Sequence, residues 1–284
     1  MKIEAVMFAV IASFALAAAL ASVACASDGV FTMKVGGFEV SMLSEVQRKG
    51  GLDILIGASS SDVERFIPDG EYPNAVAVYM IRSADGVVLV DTGYGTALER
   101  NMESLGVRPE DVKDILITHS HGDHIGGLLK EEERAFPNAR IHVSKAEYEW
   151  SPSMRDALDK YGGDVNMIGP GTLDDGAEVL PGVRAIAAYG HTPGHTMFML
   201  ESKGERLLFW GDLTHAMAIQ MPRPGVSVRY DSDPVKAAEV RKSVLEYVSR
   251  NKIPAAGAHI AYPGVGDISA DQENPGGYRF TPKN

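Results

Sequence analysis

A short segment near the middle of the chain concentrates side chains that bind metal ions. Three histidines and one aspartate lie between positions 119 and 124, in the order His-x-His-x-Asp-His. The apolar run Ile115-Leu116-Ile117 precedes them and predicts a short buried strand that ends where the histidines begin. Imidazole and carboxylate groups are ligands that a borderline-soft divalent ion such as zinc prefers. The segment therefore predicts a metal site rather than a polar loop with scattered histidines.

Further candidate ligands follow other predicted strands. Each comes shortly after one of the apolar runs 185–188, 206–210 and 255–258. A sheet is rigid enough to hold such groups in a fixed geometry. The full set of candidate ligands is His119, His121, Asp123, His124, His195, Asp212 and His259.

Seven candidate ligands are more than one ion needs. A tetrahedral ion takes three or four protein ligands, so the set implies two ions, with a carboxylate such as Asp212 able to bridge them. Two ions about 3.5–4 Å apart can hold a shared hydroxide and polarise a substrate oxygen. Three other histidines are left out of the set, one of which, His215, is considered below. His142 lies inside a predicted strand and is interpreted as a packed residue, and His191 as a residue that shapes the loop before His195.

The elements that must position these loops are visible in the hydrophobic pattern. Residues 31–35 and 38–43 flank Gly36-Gly37 and predict a hairpin. The near-continuous apolar runs 76–81 and 87–90 indicate a sheet that is covered on both faces. Residues 96–105 predict a helix that ends at a glycine.

Other segments carry turn and cap signals. Asp91-Thr92-Gly93 predicts a turn at a strand end, in which Asp91 could also hold a metal-bound imidazole by its other ring nitrogen. Asp233-Pro234 predicts the start of a helix with an apolar stripe. Residues 52–68 are expected to be irregular. Residues 145–181 are expected to be an insertion or lid near a pocket, although each large residue in them is expected singly to pack in the core or on the surface.

Composition and charge exclude some classes of partner. The chain has 284 residues, 45% of them hydrophobic, which suffices for a sizeable core in a single α/β domain. Its formal net charge of -11 argues against a nucleic-acid-binding or anionic-membrane-binding surface. The expected partner is a small-molecule substrate. Nothing in the pattern indicates an oligomeric state.

The first 26 residues predict a signal peptide. Lys2 precedes the apolar run 6–20, and Ala24-Cys25-Ala26 supplies small residues for cleavage. We therefore expect residues 27–284 to form the mature single-domain protein, exported to the periplasm or secreted, without membrane contact after cleavage. A retained anchor and a lipoprotein acylated at Cys25 are the alternatives. Cleavage after Ala26 would remove the only cysteine, so the mature protein would have neither a disulfide nor a thiol nucleophile.

The order of the candidate ligands resembles that of the metallo-β-lactamase superfamily, over about residues 30–270. The resemblance implies a four-layer αβ/βα sandwich of two mixed sheets with outer helices and the metals at one edge. It also implies that His119, His121 and His195 bind the first ion, that Asp123, His124 and His259 bind the second, and that Asp212 lies between them. Two divalent ions are expected, most simply zinc, with manganese, iron or cobalt as alternatives.

One branch of the superfamily is more similar than the others. Dinuclear zinc β-lactamases usually carry cysteine where this chain has Asp212. The segment 211–216, with Gln220-Met221-Pro222 and Tyr262-Pro263-Gly264, resembles the exported branch that contains methyl parathion hydrolase, with lactonases and arylesterases nearby. The implied activity is hydrolysis of lactones or other esters, with organophosphate triesters as a secondary substrate. The alternatives are a thioester (hydroxyacylglutathione-type) or β-lactam hydrolase, a mononuclear iron dioxygenase, and a catalytically silent metal-binding protein.

Three residues are assigned catalytic roles. Asp212 would bridge the two ions, and Asp123 could accept a proton late in the cycle. Acyl-homoserine lactonases often have a tyrosine three residues after the bridging aspartate, where this chain has His215. His215 could donate to the substrate oxygen or leaving group, or simply pack beside the metal ligands.

Overall fold

The computed structural model describes residues 29–284. The predicted signal peptide, its cleavage site and Cys25 lie outside the described residues. The strands are β1 (Val30–Val35), β2 (Phe38–Gly51), β3 (Leu55–Ile56), β4 (Glu71–Ser83), β5 (Gly86–Val90), β6 (Val112–Leu116), β7 (Leu129–Lys130), β8 (Glu133–Arg134), β9 (Arg140–Ser144), β10 (Val165–Ile168), β11 (Ala177–Leu180), β12 (Val183–Ala187), β13 (Thr196–Ser202), β14 (Glu205–Phe209), β15 (Ser227–Val228), β16 (Ala255–Ala256), β17 (Val265–Ala270) and β18 (Tyr278–Pro282).

Seven α-helices connect these strands within residues 29–284. They are α1 (Ser60–Phe66), α2 (Leu98–Ser104), α3 (Gly122–Ile125), α4 (Lys145–Trp150), α5 (Pro152–Asp159), α6 (Met217–Gln220) and α7 (Pro234–Asn251). None of the helices in this part of the chain is long and apolar enough to cross a membrane.

Two seven-stranded mixed sheets form the centre of the fold. The first sheet has the order β1-β2-β4-β5-β6-β9-β10, and the second has the order β11-β12-β13-β14-β16-β17-β18. In the first sheet, β5, β6, β9 and β10 are parallel. In the second sheet, only β14 and β16 form a parallel pair. The hairpin predicted around Gly36-Gly37 is confirmed as β1 and β2, with β2 extending to Gly51.

Apolar side chains fill three layers around the two sheets. Between the sheets, Met42 and Tyr79 of the first sheet belong to one cluster with Phe198 and Phe209 of the second. The outer face of the first sheet packs against α2 and α5, and the outer face of the second packs against α7. The order helix, sheet, sheet, helix is the predicted four-layer αβ/βα sandwich.

The longest helix, α7, follows the sequence prediction closely. The Asp233 side chain caps it by accepting a hydrogen bond from the backbone N–H of Lys236 at 3.0 Å, and Pro234 occupies its first turn. Val244 and Val248 on its apolar stripe are buried against the second sheet. The N-terminal cap and the apolar stripe of α7 both match the prediction, because each depends on residues that are close together in the sequence.

Two segments differ from the prediction. Residues 52–68 are not irregular throughout, since they contain β3 and α1, the latter capped by Ser59. No residue of α1 is buried, which explains why hydrophobic periodicity did not reveal it. In the segment 145–181, Met154 and Tyr161 are fully buried in the core outside the first sheet, so they form no pocket wall. The expectation of a lid is wrong for these residues, and core packing is right.

Strand ends bring the candidate ligands to one edge of the sandwich. The strands β6, β14 and β16 each end three residues before His119, Asp212 and His259, respectively. The backbone N–H of Thr196, at the start of β13, donates to the carbonyl of Thr118 at 2.9 Å and joins the two sheets at this edge.

Candidate metal centre

Three imidazoles and one carboxylate converge in a group that we call the first cluster: His119, His121, His191 and Asp212. The Nε2 atom of His191 lies 3.2 Å from Nε2 of His119 and 3.1 Å from Nδ1 of His121. The latter two nitrogens are 3.0 Å apart. Nitrogen ligands of one tetrahedral zinc ion lie about 3.3 Å from each other, given zinc–nitrogen bonds of about 2.0–2.1 Å. The spacing of the three imidazoles therefore fits a shared ion.

A second cluster consists of Asp123, His124 and His259. It is wider than the first, since a carboxylate oxygen of Asp123 lies 4.0 Å from Nε2 of His124 and the other lies 3.6 Å from Nε2 of His259. Both histidines are buried, whereas the Asp123 side chain is 18% exposed.

Asp212 lies between the two clusters. Its Oδ1 atom is 3.0 Å from Nε2 of His124, and its Oδ2 atom is 3.1 Å from Nε2 of His259 and 3.3 Å from Nε2 of His191. Burial alone would raise the pKa of Asp212, but the surrounding imidazoles, His124 first, hold it well below its usual value. The carboxylate is therefore ionised and faces both clusters, as a bridging ligand must.

The centre contains buried polar atoms that the described residues do not satisfy. Nε2 of His124 and Oδ1 of Asp212 are both buried, and neither has a hydrogen-bond partner of good geometry within residues 29–284. Such atoms are costly unless another group binds them. A divalent cation accepts lone pairs from both types of atom, so these residues fit metal ions.

Outer partners orient three of the imidazoles. The Nδ1 atom of His124 contacts Oδ2 of Asp91 at 2.7 Å, as predicted for Asp91. The Nδ1 atoms of His259 and His191 contact the Ala75 carbonyl at 2.8 Å and Oδ1 of Asp231 at 2.9 Å. With Nδ1 engaged in this way, Nε2 of each ring points to the centre, where it can bind an ion once the ring is neutral.

The structure groups His191, and not His195, with His119 and His121. Both ring nitrogens of His195 bind backbone groups, because Nδ1 donates to the Ala188 carbonyl at 3.1 Å and Nε2 accepts from the N–H of Asp212 at 3.1 Å. Burial lowers the pKa of His195 to about 3, so the ring is neutral and can donate and accept in this way. His195 therefore supports the turn before Asp212. His195 still lies beside the first cluster, with its ring centroid 5.3 Å from that of His119, and its role as a metal ligand stays a prediction.

The turn supported by His195 requires a glycine. Gly211 has a φ of 55°, and a Cβ atom there would lie 2.6 Å from Nε2 of His195. A side chain at this position would push the ring away from the backbone N–H of Asp212. The same contact thus holds the backbone of Asp212 in place and occupies Nε2 of His195.

His215 also reaches the centre. Its Nε2 atom is 3.0 Å from Oδ2 of Asp212, and its ring stacks on that of His259 with centroids 4.5 Å apart. Burial lowers the pKa of His215 to about 4, so the ring is neutral near pH 7. Nδ1 of His215 is buried without a hydrogen-bond partner in the described part of the chain. His142, in contrast, pairs with Asp114 at 2.7 Å on β9, outside the clusters, as expected of a packed residue.

Three residues of the centre were missed by sequence reasoning. His191 and His195 both occur in Gly-His-Thr-Pro-Gly-His, and strand-end spacing alone does not distinguish them. Asp231 lies 40 positions from its partner His191, in a loop without periodicity. Glu147, fully buried beside the ligand loops, carries a helix-start pattern that hides its tertiary role.

Comparison with known proteins gives consistent matches. The family model described as the metallo-beta-lactamase superfamily matches residues 72–252. A "probable metallo-hydrolase" of Mycobacterium tuberculosis is 29% identical over 177 residues, which cover 48% of this chain and 55% of that protein. An N-acyl homoserine lactonase of a Bacillus species is 28% identical over 151 residues, which cover 44% of this chain and 58% of that protein. The matches thus span little more than half the length of these relatives.

Solved structures are similar over nearly the whole fold. The dizinc quorum-quenching lactonase AidC, in complex with a product, superposes with a TM-score of 0.81 and 22% identity over 90% of this chain and 98% of its own. The hydrolase AbOPH of the beta-lactamase superfamily gives a TM-score of 0.81 and 23% identity over the same shares.

Proposed function

The chain belongs to the metallo-β-lactamase superfamily, and we propose that it is a metal-dependent hydrolase that cleaves lactones or related esters at a dinuclear, most simply dizinc, centre. The observation that carries this proposal is the buried carboxylate of Asp212, which lies within 3.3 Å of histidines from both clusters. A single-metal oxygenase would not need both sets of ligands. A silent metal-binding protein would not need a partly exposed ligand such as Asp123.

Each of the two ions would be held by its own set of residues. His119, His121 and His191 would hold one ion, and Asp123, His124 and His259 the other, with Asp212 shared. Divalent ions bound there supply Lewis acidity, which lowers the pKa of water and polarises an ester carbonyl. The outer partners Asp91 and Asp231 keep the imidazoles oriented.

The chain also offers proton-transfer groups at this edge. Asp123 is the most exposed carboxylate of the centre, and in this proposal it accepts a proton as the tetrahedral adduct collapses. His215 is neutral and lies beside Asp212, where it can hydrogen-bond to the substrate oxygen. Tyr230, which is 45% exposed with its ring centroid 5.8 Å from that of His215, offers an apolar face to the acyl part of a substrate.

Several similarities favour lactones over the other substrate classes. The relatives and the superposed structures include proteins named as N-acyl homoserine lactonases and a dizinc lactonase. Asp212 stands where dinuclear β-lactamases usually carry cysteine, which disfavours a β-lactam substrate. We further propose export, from the pattern of residues 1–26.

The test is steady-state hydrolysis of medium-chain γ- and δ-lactones and an N-acyl homoserine lactone by metal-loaded protein. We expect turnover that Asp212→Asn removes and that Asp267→Asn retains, because Asp267 is an exposed aspartate paired with Lys283 away from the centre. Thioesters and phosphotriesters are assayed in parallel. Absence of lactone turnover in folded, metal-loaded protein, with turnover of one of those substrates, would replace the lactonase assignment.

A further inference from the structure

The carboxylate of Glu147 occupies an unexpected position. Ser144 and Glu147 form the Ser-x-x-Glu pattern of a capping box at the start of α4, and the Ser144 side chain does accept from the N–H of Glu147 at 3.1 Å. In a capping box the glutamate would return to the backbone N–H of the capping residue. Here its side chain is fully buried and turns instead toward the metal centre.

Four donors from two different segments converge on this carboxylate. Oε1 accepts from the backbone N–H and the hydroxyl of Ser120, at 2.8 and 2.6 Å. Oε2 accepts from the Thr192 hydroxyl at 2.6 Å and the Gly194 N–H at 3.1 Å. Ser120 stands between His119 and His121, and Thr192 follows His191. One carboxylate therefore joins the two segments that supply all three imidazoles of the first cluster.

The backbone of the 191–194 segment approaches α4 so closely at Gly194 that no side chain fits there. A Cβ atom on Gly194 would lie 2.1 Å from the backbone nitrogen of Glu147. The Ser144 hydroxyl adds a further link by donating to the Gly194 carbonyl at 2.8 Å. Glycine at this position thus allows the backbone N–H of Gly194 to reach the carboxylate.

We propose that Glu147 is a positioning residue for the first cluster: it fixes the 119–121 segment against the 191–194 segment and thereby sets the affinity for the ion. The inference rests on the proposed metal centre. Hydrogen bonds to an ionised acceptor are stronger than neutral ones, and four of them on one buried carboxylate hold both segments at once. Residues that orient metal ligands contribute about 10–100-fold to metal affinity or activity.

Glutamine cannot replace Glu147 at this site. Each carboxylate oxygen accepts one backbone N–H, from Ser120 on one side and Gly194 on the other. Hydroxyl groups can reverse and accept, but a backbone N–H cannot. Whichever way the amide of glutamine is turned, its NH2 group therefore faces one backbone donor, and that link is lost.

The experiment compares metal binding by the full chain and by the variants Glu147→Gln and Glu149→Gln. Glu149 is the matched control, since it lies on the same helix, is exposed, and its side chain pairs only with Lys145 among the described residues. Zinc affinity is measured by chelator competition, the Co2+ absorption spectrum reports the ligand geometry, and thermal unfolding of the metal-free proteins reports stability. We expect Glu147→Gln to weaken zinc binding about 10–100-fold and to alter the cobalt spectrum, and Glu149→Gln to change neither.

An unchanged zinc affinity and cobalt spectrum in Glu147→Gln, with only a lower unfolding temperature of the metal-free protein, would overturn the proposal. If Glu147→Gln does not fold, Ser120→Ala and Thr192→Val each remove one hydroxyl donor and are measured in the same way. They should weaken zinc binding several-fold, and wild-type affinity in both would equally refute the positioning role. No readout uses a substrate, so failure of the lactonase assignment would leave this result unaffected.

Discussion

The two ligand clusters differ in how completely the protein forms them. In the first cluster, the three imidazole nitrogens already stand 3.0–3.2 Å apart, close to the spacing around one tetrahedral ion. In the second cluster, Asp123 is 3.6–4.0 Å from its histidine partners and partly exposed. The spacing in the first cluster is thus already close to that of a metal site, whereas Asp123 would have to move closer to the two histidines for the second cluster to share an ion.

The supports of the two clusters explain this difference. The segments of the first cluster are tied to each other through the buried carboxylate of Glu147. The histidines of the second cluster are each held separately, His124 by Asp91 and His259 by the Ala75 carbonyl. Individual support fixes each ring, but it does not fix Asp123. We therefore expect the first cluster to bind its ion more tightly.

The largest effect should come from the residue that the clusters share. Asp212→Asn removes the negative charge that faces histidines of both clusters, whereas Asp123→Asn affects the second alone. Because outer partners already contribute about 10–100-fold, we expect Asp212→Asn to reduce activity by more than that and to lower the occupancy of both ions. Asp123→Asn should retain one ion per chain. Metal analysis after dialysis measures the number of ions that each variant retains. Two retained ions in Asp212→Asn would show that the clusters do not share Asp212.

The next largest effect separates His191 from His195. His191→Ala removes a nitrogen from the first cluster, and we expect at least about 100-fold weaker zinc binding. His195→Ala removes contacts to the Ala188 carbonyl and the Asp212 N–H, so it should lower the free energy of unfolding by about 1–3 kcal/mol with a smaller change in zinc affinity. Chelator competition and thermal unfolding distinguish the two. Loss of zinc in His195→Ala but not in His191→Ala would restore the sequence-based assignment.

His191 and His195 also show what the sequence alone cannot predict. Apolar runs predict strand ends, because burial of a strand constrains every residue in it. They correctly predict that His119, Asp212 and His259 each follow a strand, whereas the common edge was expected from the resemblance. Between His191 and His195 the decision depends on ring direction, which tertiary contacts such as that with Asp231 set. Spacing along the chain carries no information about those contacts.

The same limit applies to the fold. The first hairpin and the cap of α7 follow from local patterns in the sequence, whereas the four layers were expected from the resemblance to the superfamily. The helix α1 is not predicted because none of its residues is buried. For the segment 145–181 the sequence leaves an insertion or lid and core packing as alternatives, because its apolar residues lack a regular period. Only the packing of Met154 and Tyr161 against the first sheet shows that the segment belongs to the core.

Stepwise removal of metal tests directly whether the two clusters differ in their affinity for metal. As chelator concentration rises, we expect one ion to leave at a lower concentration than the other, because Asp123 is exposed and its cluster is wide. Asp123→Asn should abolish the first step and leave the second unchanged. The measurement is metal content against free chelator, with Co2+ spectra as a second probe. Loss of both ions in one step would contradict the difference in preorganisation.

The smallest expected effect concerns the outer support of the second cluster. Asp91 accepts from Nδ1 of His124 and also from the backbone N–H of Thr118 at 2.8 Å. Asp91→Asn keeps the size of the side chain but removes its charge, so the Nδ1–H of His124 loses a charged acceptor. We expect about tenfold weaker binding of the more easily removed ion, with the other ion unaffected.

The remote pair His142–Asp114 provides the control for this prediction. Its nitrogen and oxygen are also 2.7 Å apart, but it lies on β9 and β6, outside both clusters. Asp114→Asn should therefore change stability without changing the affinity for either ion. If both variants lowered metal affinity equally, the effect would reflect general loosening of the first sheet. If only Asp91→Asn lowered metal affinity, one carboxylate, Asp91, would account for the orientation of His124 in the second cluster. The first cluster, in contrast, depends on two segments that Glu147 joins.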